Sequence, residues 1–195
     1  MRCPKELFTA GNSFHFYNHA IGKENLFVKD EDYQLLLRRF KKFLNRYNVS
    51  VFSYCLMPNH FHFLLRQEDD NPAYRLLNSL FSSYVQIFNK KNHRIGRLLR
   101  SPLNHVHVDN DPYFIYLCQY IHFNPVKAGL VSKPEDWPYS NYLEWIDKRN
   151  DELFNPEMRD AWFSSPEEYR DSIKEHEKYL EDLPFMRLLF RIVDK

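Results

Sequence analysis

The sequence predicts an α+β protein: a ferredoxin-like, RRM-like antiparallel sheet with helices on one face, followed by a C-terminal helical extension. Three observations carry that reading. The elements run β-α-β-β-α-β and then helix, the split βαβ order. Pro58-Asn59 separates two β-rich runs and marks a tight hairpin turn. Beyond residue 146 the chain turns acidic and helix-forming, which divides it into a body, 1–146, and an extension, 147–195.

Each element has a local reason. Ser13 to Ala20 (Ser-Phe-His-Phe-Tyr-Asn-His-Ala) has β character and forms the first strand, and Gly22 to Asn25 is turn-like. Asp30 opens the first helix. Its three leading acids suit the positive end of the dipole, and Leu35, Leu36, Phe40, Phe43, Leu44 and Tyr47 follow at helical spacing. Val49 to Met57 is the second strand and His60 to Arg66 the third. Pro72 starts the second helix, which carries Leu76, Leu77, Leu80, Phe81, Tyr84, Val85 and Phe88 and ends in Lys90-Lys91. Asn92 to Arg100 is a basic loop, and Leu103 to Val108 alternates weakly as a fourth strand. Asp111-Pro112 starts the third helix, which runs to about Asn124, with Gly129 as a stop. In the extension, Ser165-Pro-Glu-Glu is a helix start with Ser165 as N-cap.

Composition narrows the function classes. Of 195 residues, 44% are hydrophobic and 27% charged, as in ordinary globular domains. No apolar run approaches the ~18 residues of a membrane span, and Met1 to Glu6 lacks an apolar signal core. Cys3, Cys55 and Cys118 are scattered and odd in number, a poor disulfide framework, so a reducing, cytoplasmic setting is expected. The net charge of +1 conceals an asymmetry. Residues 1–143 carry 18 Lys+Arg and 12 Asp+Glu, whereas residues 144–195 carry 9 and 14. A body of +6 beside a segment of −5 is compatible both with polyanion binding and with a plain solvated surface. With 17 Phe, 13 Tyr and 3 Trp, there are aromatics enough for a core and for a few base-stacking surfaces.

The candidate chemistry lies in Tyr54-Cys-Leu-Met-Pro-Asn-His-Phe-His-Phe-Leu-Leu-Arg66. On a strand, residues i and i+2 share a face, so His60 and His62 leave the sheet together while Phe61 and Phe63 enter the opposite layer. Two co-facing imidazoles can hold one metal ion. A bare His-x-His is weak evidence, and His105 with His107 forms a second such pair in a weaker strand. Tyr120 and Asn124 lie four apart, on one face of the third helix. Asn124 has a competing reading as an N-cap with Pro125 at N1, and Tyr120 one as a half-buried aromatic. His122 falls on the other side of that helix, with a structural or DNA-contacting role. Tyr84 is a rival nucleophile better read as core.

Met57-Pro-Asn-His-Phe-His62 followed by Tyr120-Ile-His-Phe-Asn-Pro-Val-Lys-Ala-Gly-Leu-Val131 resembles the REP-associated tyrosine transposases, which belong to the HUH single-strand endonucleases. Asp136-Trp-Pro-Tyr-Ser140, the Asp30–Tyr33 helix start and Phe88-Asn89 extend the resemblance over residues 10–145. Asn18-His19-Ala20 departs from it, standing where members often show an Asn-Arg-Gly-like turn.

The resemblance implies a metal-dependent endonuclease and strand transferase acting on hairpins in single-stranded DNA. His60, His62 and Asn124 would be ligands of a divalent cation, Mg²⁺ or Mn²⁺, although imidazole pairs more often suit softer ions. Tyr120 would be the nucleophile, leaving a 5′-phosphotyrosine and a free 3′-hydroxyl, so that the phosphodiester energy is conserved for rejoining. Lys90, Lys91, Arg94, Arg97 and Arg100 make a basic run suited to the DNA backbone, and Lys127 sits just beyond Asn124, within reach of phosphate; a solvated helix end and loop is the competing reading for each. A homodimer and a monomer are both open, and no membrane partner is expected. Two other classes compete: a non-catalytic hairpin-binding module on the same fold, which would bind without cleaving, and a metal-dependent phosphoesterase using water, which would survive loss of Tyr120.

Overall fold

Strands β1 (Ser13–His19), β2 (Val49–Met57), β3 (His60–Gln67) and β4 (Asn104–Val108) pair antiparallel in the order β2-β3-β1-β4. This computed structural model describes residues 8–182, with side chains through residue 176. Cys3, the Met1–Glu6 segment and the last 13 residues of the extension lie outside the described residues. β3 separates β1 from β2 and β1 separates β3 from β4, which is the split βαβ arrangement the element order implies.

Alternation divides the strand residues between two cores. Phe14 and Phe16 of β1, Tyr54 and Leu56 of β2, and Phe61, Phe63 and Leu65 of β3 face α1 (Asp30–Leu44) and α2 (Tyr74–Lys91). Each fully buried aromatic ring here contributes about 1.5–3 kcal/mol of apolar transfer. α1 begins where Asp32 accepts hydrogen bonds from the backbone of Val28 and Lys29 at 3.0 and 3.1 Å. α2 begins two residues after Pro72, and the side chain of Gln67 caps it by accepting from Ala73 N–H at 3.0 Å. Tyr84 is fully buried, and its hydroxyl donates to the Leu26 carbonyl, which makes it a core residue.

The expected helices on one face are α1 and α2. The third helix, α3 (Asp111–Lys127), lies across the opposite face, so the sheet is covered on both sides. The reason is in β2 and β3: Phe52, Cys55, Met57 and Leu64 give that face its own apolar surface, which Phe114, Leu117, Cys118 and Ile121 bury. A register shift between Val51 and Ser53 aims Phe52 at α3. α3 also continues past Asn124. Pro125 sits inside the helix, and Ala128 N–H still reaches the Asn124 carbonyl at 2.9 Å. Proline removes one donor near the helix end, where buried neighbours hold the chain helical, and Gly129 at φ +68° then ends it.

The outer edge of β2 is closed by residues 139–141: Leu56 N–H donates to Tyr139 and Asn141 N–H to Tyr54. Two short helices follow, α4 (Tyr142–Trp145) and α5 (Glu157–Asp160), then α6 (Pro166–Asp182), opened by Ser165 as N-cap at 3.1 Å from Glu168 N–H. α6 packs on α3 through Tyr169 and Ile173. His176 is buried against Tyr116 and Phe123, with ring centroids at 4.6 and 6.2 Å.

Burial, with a smaller push from Lys127, lowers the His176 pKa to about 4. In the unfolded chain it titrates near ~6.5. The unfolded state therefore binds a proton that the folded state refuses, and this contribution to stability is intact above ~6.5 and lost as pH falls toward 4. Urea unfolding from pH 7.5 to 4 will show stability decreasing across that window. His176→Leu will reduce the slope by about one proton.

Candidate active site

The face of the sheet under α3 collects four imidazoles. β3 aims His60 and His62 at it, and β1 adds His15 and His19. His19 and His60 are paired across the β1–β3 ladder, and their rings stack at 4.9 Å. The His60 and His62 rings meet edge-on at 5.0 Å. His15 Nε2 is 3.0 Å from His62 Nδ1, and both side chains are fully buried. Asn59 Oδ1 holds His60 Nδ1 at 2.8 Å. His105 and His107 pair with Phe16 and Phe14, so the second His-x-His points to the opposite face, beside Phe14.

α3 supplies the other half. Asn124 is 5% exposed, and its Nδ2 lies 3.2 Å from His62 Nε2. Tyr120 is 1% exposed, with its ring edge-on to His62 at 5.5 Å between centroids. One turn beyond Asn124, the Lys127 ammonium sits 5.2 Å from the centre of the Tyr120 ring. His62, Tyr120, Asn124 and Lys127 thus converge, with His60 at the rim. Burial above all, then the neighbouring His60, His15, His19 and Lys127, hold the His62 pKa well below the ordinary imidazole value. His62 is neutral and keeps a lone pair for a ligand.

Among the described residues, no group of three or more His, Cys, Asp or Glu side chains is placed to hold a metal ion. The donors that converge here are two imidazoles and one amide. The Asn124 amide already meets the His62 nitrogen that would serve as ligand. With the Asn124 amide turned over, two imidazole nitrogens and one amide oxygen would suit a small divalent cation that keeps its remaining positions for water or a phosphate oxygen.

The back of α3 is held by polar contacts. His122 is fully buried: its Nε2–H donates to Asn141 Oδ1 at 2.9 Å, and its Nδ1 accepts from the Tyr169 hydroxyl at 2.6 Å. Burial lowers its pKa to about 3, against a smaller opposing effect of the Asn141 bond. A solvent-borne DNA strand does not reach it, so its role is structural. Asn141 also accepts from Tyr54 N–H at 2.7 Å and donates to the Phe52 carbonyl at 2.8 Å. Gln119 donates to Ser172 of α6 at 2.9 Å.

The basic residues divide. Lys91 pairs with the buried Asp32 at 3.2 Å, and Arg94 pairs with Glu24 at 2.5 Å while donating to the Arg97 carbonyl at 2.8 Å. Both help shape the scaffold. Lys90, Arg97 and Arg100 are exposed. Arg100 is brought to the histidine end of β1, where its N–H donates to His19 and its carbonyl accepts from Asn18, both at 2.9 Å. Sequence reasoning missed His15, His19 and Asn141. The two histidines share a face of β1 by parity, but only the β1–β3 register shows that they meet His60 and His62.

A split-βαβ sheet thus carries paired histidines beneath a tyrosine-bearing helix, and the chain belongs to the IS200-like transposase family, whose model matches residues 11–122. A REP-associated tyrosine transposase of Haemophilus influenzae is 31% identical over 114 residues, covering 53% of this chain and 64% of that protein. The chain therefore spans under two thirds of the length of that relative. The solved structure of a REP-associated tyrosine transposase bound to a REP hairpin superposes with a TM-score of 0.61 at 16% identity, covering 80% of this chain and 94% of that one. At that identity the likeness concerns the fold alone. No described helix is long and apolar enough to cross a membrane.

Asn141→Ala will leave the buried Tyr54 N–H and the His122 imidazole N–H without their acceptor. Denaturant unfolding will show a loss of about 2–6 kcal/mol, the sum of two orphaned buried donors.

Proposed function

We propose that this protein is a divalent-cation-dependent, single-strand DNA endonuclease and strand transferase acting at hairpins, with Tyr120 as nucleophile. The convergence of Tyr120, Asn124 and Lys127 from α3 on His62 of β3 is the observation that supports it. The Tyr120 oxygen attacks the scissile phosphorus, an O–P bond forms, and the bond to the 3′-oxygen breaks. The Tyr120 phenol gives up its proton to water as it attacks, the 3′-oxygen leaves as a hydroxyl after taking a proton from water, and the 5′ end stays on the enzyme as a phosphotyrosine. Reversal with a different 3′-hydroxyl rejoins the strand.

His60, His62 and Asn124 would hold the cation, Mg²⁺ or Mn²⁺, with Asn124 turning its amide oxygen inward. Such an ion polarises the phosphate and offsets charge developing on its oxygens. Lys127 adds a fixed positive charge beside the phenol ring. Burial keeps Tyr120 and His62 away from bulk water, where competing hydrolysis would start. Arg97 and Arg100, with Lys90, supply backbone contacts, and Arg100 stands nearest the histidines. Residues 1–146 form the transposase unit in this reading, and the extension from 147 braces α3 through Tyr169 and Ser172. A non-catalytic hairpin binder on the same fold would have no use for a buried tyrosine against a neutral histidine.

Incubation with a hairpin-bearing single strand and Mn²⁺ will give a denaturation-resistant protein–DNA adduct. Tyr120→Phe will abolish it, and an adduct surviving that change would reassign the nucleophile. EDTA will stop cleavage and Mn²⁺ will restore it; cleavage indifferent to EDTA would remove the cation from the reaction. Uncleaved hairpin bound tightly by wild type would favour the binding module.

Salt titration of hairpin binding separates the cations. Arg97→Ala and Arg100→Ala will each lower the salt slope by about 1. Lys91→Ala will lower it less, because that ammonium is already engaged by Asp32.

A further inference from the structure

His62 has a hydrogen-bonding partner at each ring nitrogen, and the two partners together determine where its proton sits. On the α3 side, Asn124 Nδ2 is 3.2 Å from Nε2. An amide NH₂ only donates, so Nε2 accepts and carries no proton. A neutral imidazole with an unprotonated Nε2 carries its single proton on Nδ1. On the β1 side, Nδ1 faces His15 Nε2 at 3.0 Å, which therefore accepts. His15 comes from β1, is fully buried and is stacked on the Tyr17 ring at 5.2 Å. Its position is set by the sheet, not by a flexible loop.

We propose that His15 is the positioning residue of this site: by accepting the Nδ1 proton of His62 it locks His62 in the tautomer whose Nε2 lone pair faces Asn124 and Tyr120. The inference rests on the cation reading given above for its purpose, but the hydrogen bond it describes exists without a cation. The chemistry is that of any histidine ligand, whose second nitrogen must be oriented by an acceptor if the first is to present a lone pair. The usual acceptors are a carboxylate or a backbone carbonyl. A buried neutral imidazole does the same task without adding negative charge to the site, which leaves the cation's full charge for the phosphate. His15 touches neither DNA nor the reacting atoms; its effect passes through His62.

The geometry also assigns a task to the Asn124 amide. In the cation-free protein its N–H occupies the direction along which His62 would bind the ion, and it satisfies the lone pair that burial leaves without water. Loading the site then requires only rotation of that amide, while the His15–His62 bond stays as it is.

The test uses the full chain labelled with ¹⁵N-histidine. Long-range ¹H–¹⁵N spectra of the metal-free protein will show His62 protonated at Nδ1 and unprotonated at Nε2; His62→Gln assigns the signals. His15→Gln, which can present an acceptor oxygen to Nδ1, will keep that tautomer. His15→Leu, which cannot, will move protonation toward Nε2. Mn²⁺ affinity measured by electron paramagnetic resonance will fall by about 10- to 100-fold in His15→Leu and within a few-fold in His15→Gln. Saturating Mn²⁺ will recover most of the cleavage rate in His15→Leu, which a merely misfolded site would not allow. A wild-type His62 protonated at Nε2 overturns the proposal even if no substituted protein folds. So does a folded His15→Leu with unchanged tautomer and Mn²⁺ affinity. Wild type with the stated tautomer but no Mn²⁺ uptake sinks the cation reading and supports the His15–His62 bond.

Discussion

Alternation along β3 is the constraint on which the rest depends. The strand lies between β1 and β2, and each of its residues must choose one of two covered faces. Phe61, Phe63 and Leu65 go to α1 and α2 with no polar atom to satisfy. His60, His62 and Leu64 go to α3, and there the polar atoms need partners because water is excluded. Those partners are His15 and Asn124 for His62, and Asn59 for His60. A slip of one residue would put two phenyl rings among the imidazoles and two imidazoles in the apolar layer. The register that makes the core is thus the register that makes the site.

The second constraint is the placement of α3. Its sheet-facing side carries Tyr120 and Asn124, and its reverse side carries His122. His122 is satisfied twice, by Asn141 from the edge segment and by Tyr169 from α6. Because Asn141 is also bonded to the backbone of β2, one amide ties the reverse of the tyrosine helix to the sheet. The extension therefore bears on the site, although none of its described residues contributes a group to it. Ile173, Tyr169 and His176 cover α3 where the helix would otherwise expose Phe123 and Tyr116. Among the described residues of this segment, Glu152, Glu157, Glu167, Glu168, Asp171 and Glu175 are exposed.

Electrostatics separates two kinds of basic residue that look alike in a one-dimensional run. Lys91 and Arg94 lie within the same stretch as Lys90 and Arg97, yet each has an acid within ion-pair distance. Asp32 is buried and caps α1, so Lys91 joins the end of α2 to the start of α1. Arg94 ties the loop to Glu24 and, through backbone carbonyls, folds that loop on itself. The loop then returns to the end of β1 with Arg100 beside His19.

Much of this was legible in the sequence because it is local. The period-two pattern of β3, the Pro58-Asn59 turn, the helical spacing of α1 and α2, the Ser165 cap and the four-residue interval from Tyr120 to Asn124 all act over a few residues. The family motifs are equally local. What the tertiary structure decided is what depends on contacts between distant segments. The sequence could not choose between a capping and a site role for Asn124; α3 runs on through Pro125 because its neighbours bury it, and that leaves the amide against His62. It could not rank the two His-x-His pairs by face, since that follows from β4 pairing with β1 so that His105 opposes Phe16. It tied α3 to the histidine face only through the family resemblance, and it gave no sign that His15 and His19 join His60 and His62. Those facts arise from strand order and register, and only the folded sheet brings residues 15, 62 and 124 within hydrogen-bonding distance.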